Sequence, residues 1–263
     1  VATDTRSLFH AHQAAYAFVR DRVRVDEGLH YRRDIAWDAA RRGAVPRATP
    51  SGSPSSSLNV ALLGSTRGTS TQALLESPSM CKRVKVVVSD RPDALILEKA
   101  RAKGIPAVSL PRCTGEPREA YDARLLRVLT AFQVDVVWLV GYMRIVSPVL
   151  IRAFPHRMFN VHPSLLPAHP NAMDLDVHRA VLAAGDARTG CTIHEVTEAV
   201  DGGPIVLQRQ CVVGADDTPE TLKAKVQQLE ATAILWWTRA LVERGVEAAW
   251  TGRAKQAEAV AAK

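Results

Sequence analysis

Asn160 and His162 are the residues whose types and spacing most directly suggest chemistry in this 263-residue sequence. They lie in Asn160-Val161-His162-Pro163-Ser164-Leu165-Leu166-Pro167, where the apolar run Met158–Val161 reads as a strand. The two-residue period of a strand turns both side chains to one face at its carboxyl end, and Pro163 and Pro167 stiffen the loop that leaves it. A carboxamide N–H beside a protonated imidazole can stabilise an oxyanion on an attacked carbonyl when both are preorganised. The same residues also suit a polar strand end that only satisfies backbone groups, and spacing leaves both readings open. Asp201 follows the run containing His194 and opens the turn Asp201-Gly202-Gly203-Pro204. A carboxylate there can raise the pKa of a nearby histidine and receive a proton from an attacking amine. An Asp that merely starts a turn is equally familiar.

These residues need a scaffold, and the chain from Leu58 onward alternates apolar runs with segments of helical spacing. Leu58–Leu63, Val84–Val88, Val134–Val140 and Met158–Val161 suit strands buried on both faces of a parallel sheet. Thr71–Glu76, Pro92–Lys103, Arg118–Phe132 and Pro148–Phe154 read as the helices between them. The pattern predicts a doubly wound α/β domain whose ligands sit on loops after the strands. Thr189–Val196 and Ile205–Val213 read as longer strands. A closing helix then runs from Pro219 to about Arg244, with Thr218 as its cap and Leu222, Val226, Leu229 and Ala233 on its buried face. Trp236 and Trp237 are expected to pack rather than to form a binding platform.

The organisation predicted is an N-terminal extension with a Ser/Pro/Gly linker over 1–57, a catalytic domain over 58–244 and a tail over 245–263. The extension includes a candidate helix at Leu8–Val25, where His10 and His12 point to different sides and read as surface residues. Its nine arginines accompany six acidic residues, which argues against a simple transit peptide.

Composition narrows the class. With 47% hydrophobic and 23% charged residues, the chain resembles a soluble globular protein, not a disordered or collagen-like one. No run reaches the ~18 apolar residues of a membrane-spanning helix. The net charge of +7 favours an anionic partner without separating a phosphate ester from a nucleic acid. Cys81, Cys113, Cys191 and Cys211 lack the close pairs of a zinc site and the density of a disulfide scaffold, so reduced, mostly buried thiols in a reducing compartment are expected.

Three segments together carry a resemblance. Asn160 to Pro167, Gly141-Tyr142-Met143-Arg144-Ile145-Val146-Ser147-Pro148 and Glu198-Ala199-Val200-Asp201-Gly202-Gly203-Pro204-Ile205 closely resemble the phosphoribosylglycinamide formyltransferases, from about Leu58 to Glu243. The resemblance implies a Rossmann-like formyltransferase fold. It also implies direct transfer of a formyl group from 10-formyltetrahydrofolate to the amine of glycinamide ribonucleotide, with no metal. Asn160 and His162 would then stabilise the tetrahedral oxyanion, while Asp201 orients and charges His162 and helps remove the amine proton. The folate would meet Met143, Arg144, Ile145 and Val146 together with Val196, Thr197 and Val200. Apolar members would hold the pteridine, and Arg144 would meet a carboxylate of the tail.

The ribonucleotide phosphate would sit at Gly64 to Ser70, where Gly68, Thr69 and Ser70 stand in place of the common Gly-Ser-Asn. Gln227 and Glu230 match positions near the ribonucleotide, with Glu230 toward the ribose, although both also suit the solvated face of the last helix. Ala168-His169-Pro170-Asn171-Ala172-Met173-Asp174 lacks a glycine that the family commonly has in its substrate loop.

Rivals that share the pattern are a 10-formyltetrahydrofolate hydrolase, expected to carry a regulatory domain ahead of the core, and a methionyl-tRNA formyltransferase, expected to carry a β-barrel after it. A non-catalytic folate or nucleic-acid binding module would fit the charge but leave Asn160, His162 and Asp201 unexplained. The expected partners are therefore small molecules, without nucleic acid or membrane, and the oligomeric state is open. The expected location is cytoplasmic, with organellar targeting of a longer precursor also open.

Overall fold

The computed structural model describes residues 58–251. The helix expected at Leu8–Val25, with His10 and His12, and the linker up to Ser57 lie outside the described residues.

Seven strands make one sheet: β1 (Val60–Leu63), β2 (Val84–Ser89), β3 (Ala107–Ser109), β4 (Val136–Leu139), β5 (Met158–His162), β6 (Arg188–Glu195) and β7 (Ile205–Val212). Their order is β3-β2-β1-β4-β5-β6-β7. The first five run parallel, and β6 and β7 return antiparallel. The helices are α1 (Gln72–Glu76), α2 (Pro78–Cys81), α3 (Leu95–Ala102), α4 (Arg118–Ala131), α5 (Pro148–Ala153), α6 (Leu175–Ala184) and α7 (Pro219–Arg244). A 3-10 turn, Thr69–Thr71, precedes α1.

Alternation along β1 shows how the sheet is covered. Val60 and Leu62 face one core with Trp138, Phe159, Val226 and Trp237. Ala61 and Leu63 face the other, with Tyr121, Leu125, Leu129 and Leu150 of α4 and α5. Both faces are dry, so the inner strands read as continuous apolar runs. The α7 helix starts in a reciprocal cap, in which Thr218 Oγ1 accepts from Thr221 N–H and Thr221 Oγ1 accepts from Thr218 N–H. Beyond α7, Val246 and Ala249 bury into the same core.

Three elements were not expected from the sequence. β3 is only three residues long. α2 is a single turn begun by Pro78. The sequence reading assigned no element to the α6 segment, which buries Val177, His178 and Val181 at helical spacing. Of the two adjacent tryptophans, Trp237 is buried, whereas Trp236 stays 45% exposed beneath the Arg209 guanidinium, 5.7 Å from its ring centroid. The four cysteines are unpaired, but only Cys191 is fully buried and Cys113 is exposed, so the expectation of mostly buried thiols was too strong.

The order of strand addition reverses between β1 and β4, which opens a crevice beyond their carboxyl ends. There Ser65 N–H donates to Gly141 O at 3.0 Å. A Cβ on Gly64 would stand 2.9 Å from Val140 O, so this closeness requires glycine.

Candidate active site

β5 and β6 position the central residues. Their antiparallel register sets Asn160 opposite His194 and His162 opposite Thr192. Asn160 Nδ2 lies 3.0 Å from His194 Nε2, and His194 Nδ1 lies 2.9 Å from the Glu195 carbonyl. With Nδ1–H donated to that carbonyl, Nε2 accepts one Asn160 amide hydrogen and leaves the second for another oxygen. Asp201 sits between the two histidines, with Oδ2 3.3 Å from His162 Nδ1 and Oδ1 3.5 Å from His194 Nε2. It reaches there from a turn in which its own φ is +52°.

The loop after β5 closes over this group. His162 Nε2 lies 3.0 Å from the His169 carbonyl, and Asn171 N–H donates to Asp201 Oδ2 at 2.9 Å. His169 is in turn held by Asp186, 2.7 Å from its Nε2. The loop adopts positive φ at His169, Asn171 and Asp174, a region that costs non-glycine residues energy.

Both His162 nitrogens therefore face acceptors, an arrangement that only the cation satisfies fully. Burial nonetheless dominates and holds its pKa below the usual value of 6.5, against the pull of Asp201 and the His169 carbonyl. Asp201 pulls the histidine upward as the sequence suggested, and desolvation outweighs that pull. For Asp201 the balance is reversed. Burial disfavours its charge, but the contact with the His194 ring, the hydrogen bond from Asn171 N–H and the pull of the nearby imidazoles keep its pKa below 3.8.

The loop after β4 carries Met143 to Val146, and the segment after β6 carries Val196, Thr197 and Val200, the residues expected to meet folate. Ser65 Oγ accepts from Met143 N–H at 2.9 Å and donates to Asp90 at 2.6 Å, which fixes the loop's start. Ile145 is 56% exposed and Val200 48%, while Val146 and Val196 lie buried in the second core. Met143 and Thr197 are half-buried at the edges. The Arg144 guanidinium stacks 4.0 Å from the Tyr121 ring centroid, and its buried Nε finds no partner among the described residues.

On the other flank Gly68, at φ +60°, begins the 3-10 turn. Ser70 Oγ donates to Glu230 on α7. Glu230 is buried rather than solvated, which corrects one of its two sequence readings, while Gln227 is half-buried. Burial pushes the Glu230 pKa up to about 7, against the Ser70 hydrogen bond and the charge of Lys223.

The sequence reading did not place His194 in the site. Its spacing of two from Thr192 and its position on an apolar strand were visible, but the register opposite Asn160 was not.

Comparison with known proteins agrees with this architecture. The formyl transferase family model matches residues 58–237. The phosphoribosylglycinamide formyltransferase of Escherichia coli is 36% identical over 200 residues, which is 73% of this chain and 93% of that protein. The bovine trifunctional purine biosynthetic protein adenosine-3 is 39% identical over 174 residues, covering 65% of this chain but 17% of that protein. The glycinamide ribonucleotide transformylase 1 structure from Symbiobacterium toebii superposes with a TM-score of 0.67 at 38% identity, covering 73% of this chain and 89% of that one. With a match that takes in the crevice, both flanks and the α7 face, the chain belongs to the formyl transferase family.

Proposed function

We propose that this chain transfers a formyl group from 10-formyltetrahydrofolate to the amine of glycinamide ribonucleotide. The observation that carries the reading is the contact set of Asn160, His162, His194 and Asp201 at the end of the sheet. It offers two donors for an oxyanion and a carboxylate for a proton. In the reaction the amine nitrogen bonds to the formyl carbon as the bond to the donor nitrogen breaks. One proton leaves the amine and one reaches the donor nitrogen.

Asn160 supplies the amide hydrogen that His194 does not take. His162 is biased toward the neutral ring in the resting site. Negative charge developing on the formyl oxygen adds to Asp201 in favouring its cation, so the donor strengthens as the transition state forms. Asp201, ionised and held by two neighbours, receives the amine proton directly or through water.

The exposed Ile145 and Val200 beside the buried Val146 and Val196 suit the flat ring of the donor. The Arg144 guanidinium, held over the Tyr121 ring, carries the charge that would meet an acidic tail. Met143 and Thr197 would border the ring. Gly68, Thr69, Ser70, Gln227 and Glu230 would take the ribonucleotide, with Glu230 toward its hydroxyls. Among the described residues no helix is long and apolar enough to cross a membrane, and the four unpaired thiols favour a reducing compartment such as the cytoplasm.

The test gives the purified chain the formyl donor with glycinamide ribonucleotide, initiator methionyl-tRNA or water, and follows loss of the donor. Consumption dependent on the ribonucleotide is expected. Transfer to tRNA alone, or hydrolysis without acceptor, would overturn the substrate.

A further inference from the structure

Lys223 occupies the second turn of α7, beyond the first turn where the helix dipole acts on charges. It lies four residues from Gln227 and seven from Glu230, so all three share one face of α7, the face whose Glu230 receives Ser70 from the 3-10 turn. Its charge acts on Glu230. Its ammonium is ion-paired with Asp174, at the start of α6.

Asp174 reaches this position at φ +54° and leaves the helix start that it precedes without a side-chain cap. A residue at that position ordinarily satisfies its own helix. One turn further, His178 is buried to 1% exposure with Nδ1 unpartnered among the described residues, close enough to feel both charges. An exposed carboxylate is thus drawn across to the one lysine on the face of α7 that carries Gln227 and Glu230.

The opposite wall offers few aligned dipoles. The turn at Gly68 leads into a helix of only five residues, whose aligned peptide dipoles are few. Arg67 beside it is exposed and acts on Lys99 of α3, on the other side of the turn. Small residues that let a phosphate approach are present with Arg67 exposed beside them, whereas Lys223 is a cation already held in place by an ion pair.

We propose that Lys223 binds the phosphate of the acceptor substrate, and that the Asp174 carboxylate holds this place in the unliganded protein. This rests on the reading of the acceptor as a ribonucleotide. Glu230 then meets the sugar hydroxyls and Lys223 the phosphate, from one helix face about two turns long. Asp174 competes with substrate and does not assist it.

Calorimetric titration of the full chain with glycinamide ribonucleotide and with its dephosphorylated riboside tests this. Lys223→Ala should weaken ribonucleotide binding about tenfold or more, as expected for one charged hydrogen bond, and leave riboside binding as it was. Lys223→Arg should restore most of the loss, and Asp174→Ala should tighten ribonucleotide binding. Equal losses for both ligands would overturn the proposal. So would weakening by Asp174→Ala in parallel with Lys223→Ala, since a pair that only ties the loop to α7 would respond alike at either end. Wild-type protein that binds the ribonucleotide but does not formylate it would overturn the proposed activity and leave the Lys223 assignment standing.

Discussion

His162 is held between two opposing demands. Asp201 and the His169 carbonyl favour its cation, and burial favours the neutral ring. A group poised in this way responds strongly to one additional charge, which is the property an oxyanion donor needs. Asp201→Asn removes the nearest charge that favours protonation, so the His162 midpoint should fall further below 6.5, as followed by NMR titration of the imidazole. Formyl transfer should drop about 10²- to 10⁴-fold, the usual contribution of a positioned acid or base. A midpoint that rises, or turnover that stays near wild type with an intact fold, would remove Asp201 from its proposed role. His194→Ala tests the other arm. It frees the Asn160 amide and one Asp201 oxygen, so kcat should fall with little change in the KM for the folate donor. A change confined to KM would make His194 a binding residue instead.

The 3-10 turn that starts at Gly68 depends on what packs behind it. A Cβ there would lie 2.5 Å from Ile96 Cγ1 at a φ of +60°, so Gly68→Ala meets both backbone strain and a clash with α3. Gly185 has a φ of +68° but nothing within 4 Å of its Cβ position, so Gly185→Ala meets strain alone. Urea unfolding should find Gly185→Ala costing about 1 kcal/mol and Gly68→Ala about 2 to 4 kcal/mol. Equal costs would mean that Ile96 yields freely and does not set the turn. The same elements mark where the sequence was readable. Buried runs such as Val60–Leu63 and the capped start of α7 announce themselves, because burial on both faces and cap chemistry leave a local pattern. The two-residue spacing of Asn160 and His162 likewise put both on one strand end. His194 was hidden because an antiparallel register joins residues 34 positions apart. β3 is too short to carry a period. The α6 face, Val177, His178 and Val181, was obscured because a histidine interrupts its apolar spacing.

Across the whole molecule, two buried groups on neighbouring helices give stability opposite dependences on pH. His178 has its pKa lowered from 6.5 to about 4, first by burial and then by Lys223. Between these values the unfolded chain binds a proton that the folded chain does not, so stability rises with pH and is lost as pH falls toward 4. Glu230 has its pKa raised from 4.5 to about 7 by burial. Between those values the folded chain holds a proton that the unfolded chain has released, so stability falls as pH rises. The windows overlap from 4.5 to 6.5, and at 1.36 kcal/mol per unit each contributes about 3 kcal/mol across it, with opposite sign. In the wild type these slopes nearly cancel, and His162, also held below 6.5, tilts the balance toward stability rising with pH. Glu230→Gln keeps a partner for Ser70 but cannot titrate. Relative to wild type it should gain about 3 kcal/mol between pH 4.5 and 6.5, whereas His178→Leu should lose about as much over the same range. Urea midpoints at pH 4.5, 5.5 and 6.5 measure both differences. Curves that stay parallel to wild type would mean that both groups titrate in the folded chain as they do in the unfolded one, and their surroundings would then be wetter than the packing implies.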